Sequence, residues 1–179
     1  QRKKIARLLE KEVSRELAEL GMKSVRFSVS LTYDQDESGI KINGKNIKIT
    51  KEGFDNVEFL ISTNPGEPLK PLAKIVSGGE TSRIMLALKN ILAKVDMIPC
   101  MIFDEIDSGI GGRTAQIVGE KLSKVAMNHQ VICVTHSPQI ASMGDVHYLI
   151  KKQIKGGRTY TSVFELNNAE RINELSRML

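Results

Sequence analysis

The chain reads as an α/β protein with an antiparallel β segment ahead of its main sheet, and three observations carry that reading. From about residue 75 onward, strands that are apolar throughout alternate with helix-length segments. That is the pattern of a mainly parallel sheet flanked by helices on both faces. Ahead of that point the chain alternates apolar and polar residues, as strands with one wet face do. At the start, an amphipathic segment carries a narrow apolar seam, which reads as a surface helix.

Each element follows from its own pattern. Residues 3–20 (KKIARLLEKEVSRELAEL) place Ile5, Leu9, Val13, Leu17 and Leu20 on one stripe, and Gly21 stands where a helix C-cap belongs. The helix suits either the root of a coiled coil or the flank of a domain, and its length leaves both open. Residues 24–32 (SVRFSVSLT) turn Val25, Phe27, Val29 and Leu31 to one side. Residues 34–39 read as a polar turn, and IKINGKNIKI reads as a hairpin around Asn43-Gly44. DNVEFLIS is a further strand, and TNPGEPLKP, with its prolines, is a loop. Then come a helix over 80–95, a strand over 98–103, a helix over 112–127 and a strand over 130–135. A short helix after Pro138, strands over 146–151 and 159–165 about a KGGR turn, and a helix over 168–178 close the chain. The expected organisation is a helical arm over 1–21 and a second region over 22–179, without internal repeats.

The 179 residues suffice for one domain with a substantial core, and 41% apolar with 26% charged residues is a globular balance. No apolar run approaches the roughly 18 residues that cross a bilayer; the longest, Met97 to Phe103, is broken by Pro99. The chain opens on Gln1, as a fragment or a processed chain does. Cys100 and Cys133 each lie in a short apolar run and read as buried free thiols. Cys133 with His136 lacks a second pair at metal-ligand spacing. The net charge of +5 suits a polyanionic partner such as DNA, and suits a solvated surface equally.

Three segments carry candidate chemistry. In CMIFDEIDSG an apolar strand runs straight into Asp104-Glu105, delivering two carboxylates at the C-terminal edge where α/β sheets bind ligands. One acid there can hold Mg²⁺ while the other polarises a water for attack on a phosphoryl group. In IVSGGETSRIMLAL, Ser77-Gly78-Gly79 leads into a helix begun by Glu80 and Thr81. Backbone N–H groups there, unshielded at two glycines, form an anion site, and a plain Ser N-cap is the simpler alternative. In VICVTHSP, His136 ends another apolar strand. Each feature alone is common; the ordered set on one rim is what points to phosphoryl chemistry.

The set resembles the second half of an ABC ATPase head. V-S-G-G-E looks like the signature motif, M-I-F-D-E like the Walker B strand, D-S-G-I-G-G like the D-loop and V-T-H like the switch histidine. The resemblance implies Asp104 as the Mg²⁺ acid, Glu105 as general base and His136 as γ-phosphate sensor. It implies that Ser77, Gly78, Gly79 and Glu80 meet the ATP of a partner subunit, with Ser108, Gly109 and Ile110 across the dimer interface. Within ABC ATPases, residues 54–151 resemble the RecN family, bacterial repair proteins related to SMC proteins. Two positions depart from the general ABC pattern: Gly111 stands where many members carry Asp, and Glu80 where transporters usually carry Gln.

The P-loop that such an ATPase needs is not in this chain. Gly39-IKIN-Gly44-Lys45-Asn46 fits the spacing but ends in Asn, sits between alternating strands and opens no helix. The resemblance places the true P-loop on an N-terminal half, separated by a coiled coil whose returning strand is the helix at 3–20. The implied cofactors are ATP and Mg²⁺. The implied partners are that N-terminal half, a second head and DNA, with no membrane, in the bacterial cytoplasm at the nucleoid. Two functions stay open: ATP hydrolysis coupled to double-strand break repair and recombination, or an ATP-dependent dimerising, DNA-tethering module with marginal hydrolysis. Glu105 favours the first.

Overall fold

The computed structural model describes every residue except Val76 and Lys94, and the backbone only of Lys155. The chain divides into two compact units, Gln1–Ser77 and Gly78–Leu179, next to the point where the sequence pattern changes.

The first unit opens with α1 (Arg2–Glu19). Its apolar stripe is buried only toward the C-terminal end, where Val13, Leu17 and Leu20 are fully enclosed while Ile5 is 62% exposed. Gly21, at a φ of 81°, lets the chain leave the helix. The Gly21 amide donates to Ala18 O and the Met22 amide to Leu17 O, the paired bonds of a Schellman close. Three strands form an antiparallel sheet: β1 (Arg26–Thr32) pairs with β4 (Asn56–Ser62), which pairs with β5 (Lys70–Pro71). Glu10 ties α1 to β1, its carboxylate accepting from Ser28 Oγ and the Val29 amide, both at 2.8 Å. The loop expected at TNPGEPLKP therefore contributes a short strand at its end, because Lys70 and Pro71 continue the edge of β4.

Between β1 and β4 lie β2 (Gln35–Ile42) and β3 (Lys45–Ile47), an antiparallel hairpin. Its turn residues Asn43 and Gly44 have φ of 49° and 80°, the pair of left-handed conformations a two-residue type I′ turn requires. The P-loop look-alike is thus a hairpin turn. Of the polar turn expected at 34–39, all but Asp34 is instead part of β2. Gln35 and Ile40 both register against Ile47, so the intervening residues bulge out of the ladder. Asp36 holds that bulge by accepting from the Ser38 amide and hydroxyl.

The second unit contains α2 (Gly78–Leu92), β6 (Cys100–Phe103), α3 (Gly112–Ala126), β7 (Gln130–Cys133), α4 (Pro138–Ala141), β8 (Tyr148–Lys155), β9 (Arg158–Glu165) and α5 (Asn168–Met178). β6 and β7 are parallel, in register from Cys100↔Gln130 to Phe103↔Cys133, and the Val134 amide adds a bond to Phe103 O. Ile84, Leu86 and Ala87 of α2 and Ala115, Val118, Leu122 and Val125 of α3 are turned inward and are buried together with Ile106 of the turn after β6. The strand expected at 146–151 does not extend this parallel pair. It pairs antiparallel with β9 from Tyr148↔Glu165 to Lys155↔Arg158, because the Gly156-Gly157 turn folds it directly onto its neighbour. α5 starts in a capping box, Asn167 and Glu170 each accepting from the other's amide.

Nothing lies near a Cβ added at Gly44, so only backbone conformation opposes a side chain there. Gly44→Ala is expected to cost about 1–2 kcal/mol in urea unfolding of the full-length protein. No loss of stability would contradict the left-handed turn at this glycine.

Candidate functional site

The site is built from the loops that leave the C-terminal ends of β6 and β7 and from the first turn of α2. β6 delivers Asp104 and Glu105, both exposed. Asp104 turns one oxygen back, its Oδ1 accepting the Glu105 amide at 2.9 Å, while its carbonyl accepts Ser82 Oγ of α2 at 2.7 Å. Glu105 has a φ of 55°, in the left-handed region that a residue of this size rarely enters. The chain thereby reverses at once, and the Ser108 amide closes the turn onto Glu105 O at 2.9 Å.

The glycines of the SGGE segment do not lead into the helix, as expected from sequence; they are its first turn, since α2 begins at Gly78. A Cβ at Gly78 would fall 2.3 Å from Glu105 Oε2, so the Glu105 carboxylate fills the space a side chain would take. The helix N-terminus favours negative charge at that place. A Cβ at Gly79 would meet Ser108 Cβ at 2.8 Å and Glu105 O at 2.9 Å. Packing within the chain therefore demands the glycine at 79, while at 78 only the movable end of the Glu105 side chain stands in the way. Ser77, the last residue of the first unit, is exposed, and Glu80 is half-buried. Ser108 and Gly109 are exposed on the turn after Glu105, with Gly109 at a φ of 71°.

His136 stands in the loop after β7 with an 85% exposed side chain. Its anchor is Asp107, which is 2% exposed. Asp107 Oδ2 accepts from Thr135 Oγ1 at 2.5 Å, the His136 amide at 2.9 Å and the Ser137 amide at 3.1 Å, and lies 3.2 Å from His136 Nδ1. Burial pushes the Asp107 carboxyl up, but the Thr135 hydroxyl and the backbone amides outweigh it and hold the group below its ordinary value. The stability this contributes is complete above the ordinary carboxylate range and is lost as pH falls through the lower folded value.

On the other side of the turn, buried Arg83 of α2 donates through Nη1 to Ile106 O at 3.2 Å and Ser108 O at 2.7 Å. Burial lowers the Arg83 pKa, and Glu80 acts against that shift. Burial also pushes the Cys133 thiol up to about 12, with Asp107 and Asp104 adding to it, so this cysteine stays a protonated packing residue. Among the described residues no three His, Cys, Asp or Glu side chains converge into a metal cage. The structure brings Gly78, Gly79, Glu105 and Ser108 together, and sets His136 beside them through Asp107. Sequence reasoning gave no role to Asp107, the first residue of D-S-G-I-G-G, and missed Arg83. The signals were a third acid in FDEID and an arginine next to Ile84 on the buried stripe of α2.

No family model matches the chain. It is 45% identical over 181 residues to the DNA repair protein RecN of Bacillus subtilis (strain 168), a match covering 99% of the chain and 31% of that protein. With RecN of Vibrio cholerae it shares 42% over 178 residues, covering 99% of the chain and 30% of the relative. The chain belongs to the RecN family. It spans about a third of the length of the curated relatives it matches. Among solved structures, the Smc head domain with a coiled coil and joint from Pyrococcus yayanosii aligns at a TM-score of 0.56 and 18% identity, covering 94% of the chain and 28% of that one. The Smc head domain of Pyrococcus furiosus, with an extended coiled coil and bound to the C-terminal domain of ScpA, aligns at 0.52 and 20%, covering 94% and 37%. These likenesses give the fold as that of part of an Smc head domain. No helix among the described residues is long and apolar enough to cross a membrane.

The two glycines should respond differently to alanine. At Gly79 the obstacles are a backbone oxygen and the Cβ of Ser108, which cannot swing away, so Gly79→Ala is expected to cost about 1–3 kcal/mol in urea melts. At Gly78 the obstacle is the end of the flexible Glu105 side chain, so Gly78→Ala should cost less, and pairing it with Glu105→Ala should remove the cost. Equal losses at both positions would contradict this packing.

Proposed function

We propose that the chain is the C-terminal lobe of an ATP-hydrolysing, SMC-like head that acts in DNA double-strand break repair and recombination and closes on ATP with a second head. The observation that carries this reading is the meeting of three chain ends on one rim. Asp104-Glu105 after β6, the His136 loop after the parallel neighbour β7, and the N-terminus of α2 converge there. In α/β folds that edge is where ligands bind, and a helix N-terminus supplies N–H groups to a phosphate.

Glu105 serves as general base, accepting the proton of the attacking water. In this arrangement its carboxylate occupies the anion position at Gly78, so binding of ATP has to displace it. Asp104 fits a Mg²⁺ site of the open kind: one exposed carboxylate, with no protein cage among the described residues. Mg²⁺ characteristically keeps waters and binds one or two carboxylates together with substrate phosphates. When bound, the ion supplies charge neutralisation to the β- and γ-phosphates. Ser77, Gly78, Gly79 and Glu80 contact the γ-phosphate of ATP held by the partner head, and Ser108 and Gly109 lie at the head–head interface. His136 serves as the γ-phosphate sensor.

The P-loop comes from an N-terminal half, for which relatives three times as long leave room. The outer face of the β6–β7 pair supports this. Ile102, Ile132 and Val134 are 70%, 46% and 46% exposed on a parallel sheet, a kind that is ordinarily covered on both faces. α1, whose apolar seam runs out exposed toward Ile5, continues into the coiled-coil arm. The net charge of +5 suits DNA as partner, in the bacterial cytoplasm at the nucleoid.

In the full-length protein, Glu105→Gln is expected to keep ATP binding, to lower turnover by about 10²- to 10⁴-fold and to trap the head dimer. Near-normal turnover would move the base elsewhere. Ser77→Arg is expected to leave ATP binding intact and abolish ATP-induced dimerisation in sedimentation. A mere N-cap at Ser77 would give instead a stability loss of about 1 kcal/mol and a normal ATP-induced dimer.

A further inference from the structure

We propose that Asp107 is the positioning residue of His136: its carboxylate fixes the imidazole in place and keeps the ring proton on Nδ1, leaving Nε2 for the nucleotide. The inference rests on the ATP-hydrolysing reading of the site and adds to it a residue that acts through another.

The His136 ring projects from a loop and is 85% exposed, so the loop alone does not orient it. Among the described residues, its polar partner is Asp107 Oδ2 at 3.2 Å from Nδ1. The same oxygen accepts the His136 and Ser137 amides and the Thr135 hydroxyl. Backbone and ring of the histidine are thus referred to one atom. An oxygen crowded by that many donors has no proton to give, so Nδ1 facing it must carry the hydrogen. In a neutral imidazole the lone pair then resides on Nε2, and which ring nitrogen is protonated is set by the bond the other makes.

The anchor itself is held. Arg83 Nη1 bonds Ile106 O and Ser108 O, the carbonyls on either side of Asp107, from the rigid body of α2. Thr135 is doubly engaged, its Oγ1 donating to Asp107 and accepting the Ser137 amide at 3.0 Å. A chain of short bonds therefore runs from α2 through the turn after Glu105 to the histidine.

Asp107→Asn separates this role from simple loop support. Because one oxygen faces both the amides and Nδ1, an asparagine cannot serve them all: its oxygen there still accepts but carries no charge, and its NH₂ there donates to Nδ1 and confronts the amides. A carboxylate-to-amide change beside a catalytic histidine is known to lower kcat with the geometry intact. The test is ATP turnover by the full-length protein and its Asp107→Asn, His136→Gln and doubly substituted forms. Asp107→Asn is expected to leave KM within about threefold and to lower kcat by about 10- to 100-fold, the range for partners that orient a functional histidine. In the His136→Gln background the same change should have little further effect, because Asp107 acts through the ring.

An unchanged kcat in Asp107→Asn, or losses that multiply in the double variant, would overturn the proposal. Should Asp107→Asn fail to fold, Thr135→Val takes its place in the cycle, and Thr135→Ser should recover most of the rate that Thr135→Val loses. Wild-type protein without ATP turnover, or Glu105→Gln at full rate, sinks the ATPase reading and this inference with it. Glu105-dependent turnover with independent Asp107 and His136 effects sinks this inference alone.

Discussion

A carboxylate buried to 2% exposure remains charged in the second unit because the donors around one of its oxygens outweigh the loss of water. Desolvating an ion costs several kcal/mol, and that cost is offset only where geometry and further hydrogen bonds are good. At Asp107 the donors come from consecutive residues of the loop after β7, while the acceptor sits in the turn after β6. The parallel pairing of β6 and β7 is what brings the two loops level, with Val134 N on Phe103 O as its last rung. Remove the charge and the loop carrying His136 has no common reference point. Remove the strand register and the charge has no donors.

The glycines beside this network acquire a second meaning. Read as a phosphate cradle, SGGE needs small residues so that a ligand can approach the backbone. In the folded chain the same absence of side chains lets Glu105 lie over Gly78, and lets Ser108 and Glu105 O press against Gly79. The two demands coincide in space. The Glu105 carboxylate already sits where an anion is favoured, as a negative group at a helix N-terminus does. Its left-handed backbone is part of that placement, and such strain commonly marks functional turns.

Much of this was legible in the sequence because it depends on local chemistry. Asn43-Gly44 announced its turn, Gly21 its helix close, and the apolar runs their strands, each through backbone conformation or periodicity that neighbouring residues specify. Other features depended on distant partners. Residues 35–39 are polar enough for a turn, but pairing with Ile47 draws them into a bulged strand. The apolar run at 146–151 has the composition of a parallel strand, yet its bonds go to the strand that Gly156-Gly157 folds back onto it. In the site, Asp104, Glu105 and His136 stood out because they end apolar runs. Asp107 and Arg83 did not, since an acid in a turn and an arginine on a helix are ordinary until their burial is known.

The sequence by itself determined the α/β character, the order of the helices and of the two parallel strands, the residues that end those strands, and the resemblance to ABC heads of the RecN type. Those properties reside in spacing and side-chain chemistry, which folding does not alter. Only the tertiary structure decided that Gly78 and Gly79 form the first turn of α2, that Glu105 lies over Gly78, and that Arg83 and Asp107 grip the turn from opposite sides. Burial and hydrogen-bond partnership are properties of pairs, and these pairs are separated by more than twenty residues along the chain. The charge at Asp107 becomes an anchor only when the fold closes the loop after β7 around it.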